Sequence, residues 1–417
     1  PPARRLRPRR LARAGLPRGG FGEVAMRVVF VYFGPLDVNS AIQAFHFGNE
    51  LNERGWEVTL AGLGDPSRIE AVGQPLFECI SHEALERRAG SIPREETIVC
   101  GWTPRERVRR HTMSLVSRLR VPYVIHLEDN ENYLLESAAG MSLEQLQRLP
   151  LRAQDRLAPP ELIHPTHHAE FLRGAAGITV ITEELNEFNI ARRPHHVARP
   201  GIDAERFRPD RPTRKTREQL GLRPDEFVIV YHGTIHYANQ HEMMSLYVAV
   251  QLLRRRDHPV RLVRLGHSEF GGVDPRAFRA VSDGVLELGP IPWQEVPDYL
   301  ALADAFVQPG ACDDFNRYRL PSKLPEFLAM GRPVILPHCN IGHDLTHGEN
   351  ALLLEQGNAV EIMARVEDLI ADRELAERLG RGSRKFALER LSWRDNAAAL
   401  ADFYRETMSA SPAGQPA

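Results

Sequence analysis

The sequence predicts an α/β protein made of two doubly wound halves. Short β-branched and aromatic runs alternate with helical stretches, the pattern of a parallel sheet covered on both faces. Near residue 200 that alternation stops in a polar, proline-bearing stretch and then starts afresh. The length, 417 residues, accommodates two such units at roughly 150 residues each, with their connections.

In the first half, residues 27–33 (RVVFVYF) have the composition of a buried strand, closed by Gly34 and Pro35. Residues 41–54 carry helical periodicity through Ile42, Phe45, Gly48 and Leu51, and Gly55 ends that helix. A strand resumes over 57–61, and 97–101, 123–127 and 177–182 repeat the rhythm. Residues 199–203 (RPGID) read as a turn, and 208–224, with Pro209, Pro212 and Pro224, as an interdomain linker. The second series opens with strand 227–231 before His232 and Gly233, then helix 242–255 and strands 260–265 and 285–288. Helix 296–303, strand 305–307, helix 323–330, strand 333–336 and two charged helices over 359–389 follow. An amphipathic helix over 393–408 closes it. The expected division is a leader over 1–25, a first domain over 26–198 and a second over 199–390. The closing segment, 391–417, is expected to carry its helix back onto the first domain.

Charge is nearly balanced, 53 basic against 55 acidic residues, which excludes a surface given over to nucleic acid. The balance hides a contrast. Residues 1–25 hold seven arginines and one acid, Glu23, so the remainder carries −8. The leader has no apolar run of the kind a secretory signal needs and is read as disordered. Cys79, Cys100, Cys312 and Cys339 form no C-x-x-C pair and no zinc spacing, as in a reducing compartment. No stretch approaches the roughly 20 apolar residues of a membrane span. The expected location is the cytoplasm. A basic amphipathic stretch, 105–120 (RERVRRHTMSLVSRLR), is read first as a helix packed on the sheet with solvated arginines; peripheral contact with the inner face of a membrane is the alternative.

Open parallel sheets bind ligands at the carboxyl ends of their strands. The polar residues there are Gly34 and His126 in the first half, and Gly233, Gly266, Gly289 and 309–326 in the second. The sharpest local signal is 319–334 (RLPSKLPEFLAMGRPV). Ser322 is placed to cap a helix that Lys323 begins, and Pro325 suits its first turn. Lys323 and Glu326, three apart, share a helical face. A cation beside free backbone N–H groups suits a diphosphate and the carboxylate suits sugar hydroxyls; a surface ion pair gives the same spacing. His164, His167 and His168 (HPTHH) lack a cysteine or acid at metal-ligand spacing. Asp129 and Glu131, near His126, read either as an acid–base pair or as groups that order the loop.

These residues carry a resemblance. AAGITVITEELNEF, VARPGIDAERFRP, LVRLGHSEF, VLELGPIPWQEVPDYLALADAFVQP, PSKLPEFLAMGRPVI and HGENALLLEQGNAVEI occur in the order and at the intervals of the retaining glycosyltransferases of family 4. The chain resembles that family from Met26 to about Met408. The resemblance implies the GT-B fold, two Rossmann-like domains facing across a cleft, and a nucleoside diphosphate sugar donor. It also implies retention of configuration, no metal or other cofactor, and a hydroxyl acceptor in polysaccharide, glycolipid or glycoside synthesis. By the same resemblance Glu326 holds the donor ribose, Lys323 meets the diphosphate and His126 touches the transferred sugar. Gly34, Gly233, Thr234, Gly289, Pro290, Ile291, Arg319, Ser322, Leu324, Asn350, Ala351 and Leu352 are the implied donor-binding set. Two departures stand out. The family's first glutamate, eight residues before Glu326, is Tyr318, and 233–239 (GTIHYAN) lacks the expected arginine and lysine. Arg317, Arg319 and Lys323 are the candidates to replace that charge. A nucleotide-sugar epimerase and a non-catalytic sugar-nucleotide-binding partner are the alternatives.

Overall fold

The computed structural model describes residues 25–211, 215–236, 239–269 and 274–410. The expected leader lies outside the described residues except for Ala25.

Among the described residues, thirteen strands form two sheets in which every pairing is parallel. The first contains β1 (Arg27–Tyr32), β2 (Glu57–Gly62), β3 (Glu78–Ser81), β4 (Thr97–Trp102), β5 (Tyr123–Leu127), β6 (Gly177–Val180) and β7 (His195–Val197), in the order β3-β2-β1-β4-β5-β6-β7. The second contains β8 (Phe227–His232), β9 (Val260–Leu265), β10 (Val285–Gly289), β11 (Ala305–Val307), β12 (Val334–Pro337) and β13 (Leu352–Leu354), in the order β10-β9-β8-β11-β12-β13. In each sheet the order reverses beside the first strand in sequence, which is where such sheets open a ligand crevice.

The period of two explains why these runs became central strands. On β1, Val28, Phe30 and Tyr32 pack under the helices Asn39–Glu53 and Trp393–Ala410. Val29 and Val31 face the opposite side, under Glu106–Leu119. β8 divides likewise, with Ile229 and Tyr231 on one face and Val228 and Val230 on the other. A side chain buried on either face is worth about 1.5–3 kcal/mol relative to exposure, so neither sheet survives without both helical layers.

Three strands were not legible. β3 and β13 are short, and β7 has only three residues, two of them His195 and His196. The described parts of 208–224 are not a free linker either. Arg211 pairs with Asp298, Arg217 pairs with Asp304 and bonds to the Leu302 carbonyl, and Phe207 is buried. These contacts fasten them to the second sheet, and the crossing narrows to residues 199–203. The chain crosses again at 391–393. Ile202 N–H bonds to the Leu391 carbonyl at 2.8 Å, and Asn396 donates to the Arg199 carbonyl at 3.0 Å. A Cβ on Gly201 would lie 2.3 Å from the Trp393 nitrogen, so only glycine lets the two crossings touch. The final helix then buries Ala397, Leu400, Phe403 and Tyr404 against first-half residues. No helix among the described residues is long and apolar enough to cross a membrane.

Candidate functional site

The carboxyl ends of both sheets face a cavity of about 530 Å³, walled by loops from each half and by the first crossing. On the second-half wall, β8 delivers His232 and Gly233, the loop after β11 carries Phe315 to Lys323, and the helix Leu324–Ala329 brings Glu326. Lys323 reaches over Gly233 and donates from Nζ to the Tyr231 hydroxyl at 2.8 Å. Gly233 has φ +141°, and a Cβ there would sit 2.8 Å from Lys323 Cε. The glycine is needed for both its backbone and the space it leaves to the lysine. Glu326 Oε2 lies 2.5 Å from His232 Nε2, without hydrogen-bond alignment, and neither atom has a hydrogen-bond partner among the described residues. That oxygen is buried against the histidine, while the Glu326 side chain as a whole lines the cavity.

Arg319 supplies the second cation on this wall. It is clamped by Glu242 at 3.2 Å and by Asn316 Oδ1 at 2.7 Å, and its guanidinium stacks 4.0 Å from the Phe315 ring centre. Burial pushes the Glu242 carboxyl up, while Arg319 and Asn316 pull it down. Arg317 faces elsewhere, paired with Glu187. Tyr318 also turns to Glu187, donating its hydroxyl at 2.7 Å. The residue at the family's glutamate position thus ties the second half to the first.

The first-half wall is acidic. Ser40, Gln43 and His46 reach it from the helix after β1, and Glu128 and Asp129 from the loop after β5. Burial holds the His46 imidazole down at about 4, so it is neutral at pH 7. Glu128 is buried and accepts from Trp102 Nε1 at 2.9 Å. Burial opposes its charge, but His126, Ser40 and Trp102 outweigh that and hold the carboxyl below its ordinary range. Burial raises Asp129. Behind them Glu131 grips Arg105 at 3.0 Å, and burial pushes its carboxyl up to about 7. His126 lies beneath this wall, with Nδ1 2.9 Å from Thr179 Oγ1 and Nε2 3.6 Å from Glu128 Oε1.

Among the expected residues, the cavity lining gathers Gly233, Thr234, Arg319, Ser322, Lys323 and Glu326. The others stand elsewhere. Gly34 closes β1 and accepts a bond from Leu63 N–H. His126 is a buried neighbour of the lining residue Glu128. Ser322 makes no capping bond, because the helix starts one residue later with Lys323 in the capping place. Leu324 is buried in the core. Gly289 and Pro290 border a second hollow with Tyr247, Arg264 and Ser268, and Ile291 packs on the core. Asn350, Ala351 and Leu352 lie where β13 begins, the end of a parallel strand remote from the cleft, and Asn350 bonds to Thr346 N–H. They do not join the cavity.

Sequence reasoning missed Glu128, His232, Glu242 and Trp293. Glu128 immediately precedes Asp129, and its burial by Trp102 has no local signature. The histidines of 164–168 serve their own helix: His164 Nδ1 accepts Thr166 and His167 N–H, and His168 Nδ1 meets the His164 carbonyl. No group of three metal-ligating side chains occurs among the described residues. In the basic helix Glu106–Leu119, Arg107 pairs with Glu161, Arg109 and Arg110 with Glu106, and Arg118 with Glu86. Its apolar residues Val108, Leu115 and Leu119 are already in the core.

The family profile of glycosyl transferases group 1 matches residues 226–372, which contain all of the second sheet. The chain is 24% identical over 391 residues to D-inositol 3-phosphate glycosyltransferase of Paenarthrobacter aurescens, covering 86% of this chain and 90% of that one. It is 31% identical over 220 residues to the GDP-mannose-dependent alpha-(1-6)-phosphatidylinositol monomannoside mannosyltransferase of Mycobacterium tuberculosis, covering 49% of this chain and 54% of the relative. Several other curated relatives are likewise matched over about half their length. Among solved structures, Anabaena HepE with UDP and glucose aligns over 93% of this chain and all of its own, with TM-score 0.66 and 15% identity. Sucrose-phosphate synthase from Thermosynechococcus elongatus aligns with TM-score 0.62 and 16% identity over 93% of this chain and all of its own. These two likenesses establish the fold, GT-B.

Proposed function

The chain carries a group 1 glycosyltransferase domain over residues 226–372 on a GT-B frame, and from that premise we propose that it moves a sugar from a nucleoside diphosphate sugar to a hydroxyl acceptor with retention of configuration. Residues 199–390 hold the donor and 26–198 the acceptor. One observation carries the reading: Arg319, Lys323 and Glu326 converge beside Gly233 in a cavity between two facing sets of strand ends.

In this account the C1–O bond to the diphosphate breaks, C1 bonds to the acceptor oxygen, and the acceptor's proton leaves with the diphosphate. Negative charge grows on the leaving oxygens, and Lys323 and Arg319 stand ready to offset it without reorganising; no metal ion is used. A preorganised donor of this kind contributes about 10²–10³ in rate. Glu326, on the cavity lining, takes the ribose hydroxyls. His126 acts from behind, holding Glu128 at the sugar-facing wall. Four free cysteines suit the cytoplasm.

The test is direct. UDP or GDP raises the melting temperature of the purified chain, and Lys323→Ala and Glu326→Ala, still folded, lose most turnover. Wild-type turnover by either variant refutes the site. One second reading has a specific observation behind it: Glu128 and Asp129 face the donor wall, as acid–base groups of an epimerase would. Product analysis separates the two, because an epimerase returns an isomeric nucleotide sugar and releases no free nucleotide.

A further inference from the structure

We propose that the acceptor is an uncharged polyol and that phosphomonoesters are excluded from this chain's acceptor side. The inference rests on the preceding reading, in which the second-half wall belongs to the donor.

The cavity's two walls differ in charge. Arg319 and Lys323 both stand on the second-half wall, where a donor diphosphate engages them. The first-half wall presents Ser40, Gln43, His46, Glu128 and Asp129, and among the described residues no lysine or arginine lines it. Arg105, a cation behind it, is gripped by Glu131 and lies 3.9 Å from Asp129. A phosphate entering here would meet Glu128 across a poorly screened cavity, with no cation on this wall to compensate its lost hydration.

A second observation points to a hydroxyl-bearing ligand. The His126 side chain is 1% exposed, and its Nε2 has no hydrogen-bond partner while facing Glu128 at 3.6 Å. That ring stands behind the wall and outside the cavity lining, so it acts on a ligand only through the Glu128 carboxylate it faces. A hydroxyl can donate to the Glu128 carboxylate; a phosphate dianion has no proton for it. This chemistry departs from the inositol phosphate in the name of the Paenarthrobacter relative.

The test uses the full chain. Thermal shift with UDP and GDP reports the donor site alone. Glucose and mannose conjugates of the nucleotide that binds are then offered with acceptor pairs: myo-inositol against D-inositol 3-phosphate, and glucose against glucose 6-phosphate. The expected result is at least a tenfold higher kcat/KM for the uncharged member of a pair, a preference that narrows in Glu128→Gln. Asp129→Asn, altered at the more accessible carboxylate, replaces that variant should it fail to fold. Equal or better use of the phosphorylated member overturns the inference, as does donor hydrolysis without transfer to any of the four. Either leaves the donor reading intact. No stabilisation by either nucleotide overturns both.

Discussion

Both walls of the cleft are made at the carboxyl ends of parallel strands, yet the loops beyond those strands carry opposite charge. Arg319 and Lys323 stand on one, Glu128 and Asp129 on the other. Each charge has its own support: Glu242 and Asn316 hold Arg319, a tyrosine hydroxyl holds Lys323, and Trp102 holds Glu128. The comparison teaches that the frame fixes where the two walls meet, and the loops decide which wall carries the cations.

The largest effect should follow from removing a donor-wall charge. Lys323→Ala is expected to lower transfer at least 100-fold, about 2.7 kcal/mol of transition-state stabilisation, with steady-state kinetics as the readout. A smaller drop would mean Arg319 carries the wall alone. Next comes Gly233→Ala, which places a methyl group 2.8 Å from Lys323 Cε at φ +141°. It should cost about 1–3 kcal/mol in urea unfolding and also weaken nucleotide binding, because the lysine must move.

The acceptor wall is sharpened by pH. Folding lifts the Glu131 carboxyl to about 7 from 4.5, mainly by burial. The folded state then binds that proton more tightly than the unfolded chain, so this group's contribution to stability falls as pH rises from 4.5 to 7 and is level above. Glu131→Gln should flatten that part of the stability–pH curve; an unchanged slope would assign it to another group. The smallest effect is expected from Tyr318→Phe. It removes one hydroxyl bond to Glu187, a half-exposed partner, and should cost under about 1 kcal/mol in thermal unfolding.

How much of this was legible depends on whether the cause was local. The strands of β1 and β8 were readable because burial on both faces leaves continuous apolar runs such as RVVFVYF. β3 and β13 were not, since strands of four and three residues leave no periodicity to read. Lys323 and Glu326 were found through helical spacing. Glu128 was not, because what marks it is a tryptophan 26 residues away in sequence. Ser322 misled because local capping chemistry predicts a helix start that the tertiary structure shifts by one residue. The missing arginine after β8 left three replacements open. Arg317 is turned away by Glu187, a residue 130 positions distant, so Arg319 and Lys323 remain.

The central claim is that the second-half wall is the nucleotide side. Titration calorimetry of UDP and GDP into the wild type, Lys323→Ala and Glu128→Gln tests it most directly. The account predicts that one nucleotide binds the wild type, that Lys323→Ala weakens it at least tenfold, and that Glu128→Gln weakens it less. Undiminished binding by Lys323→Ala, or a loss found only in Glu128→Gln, would contradict it.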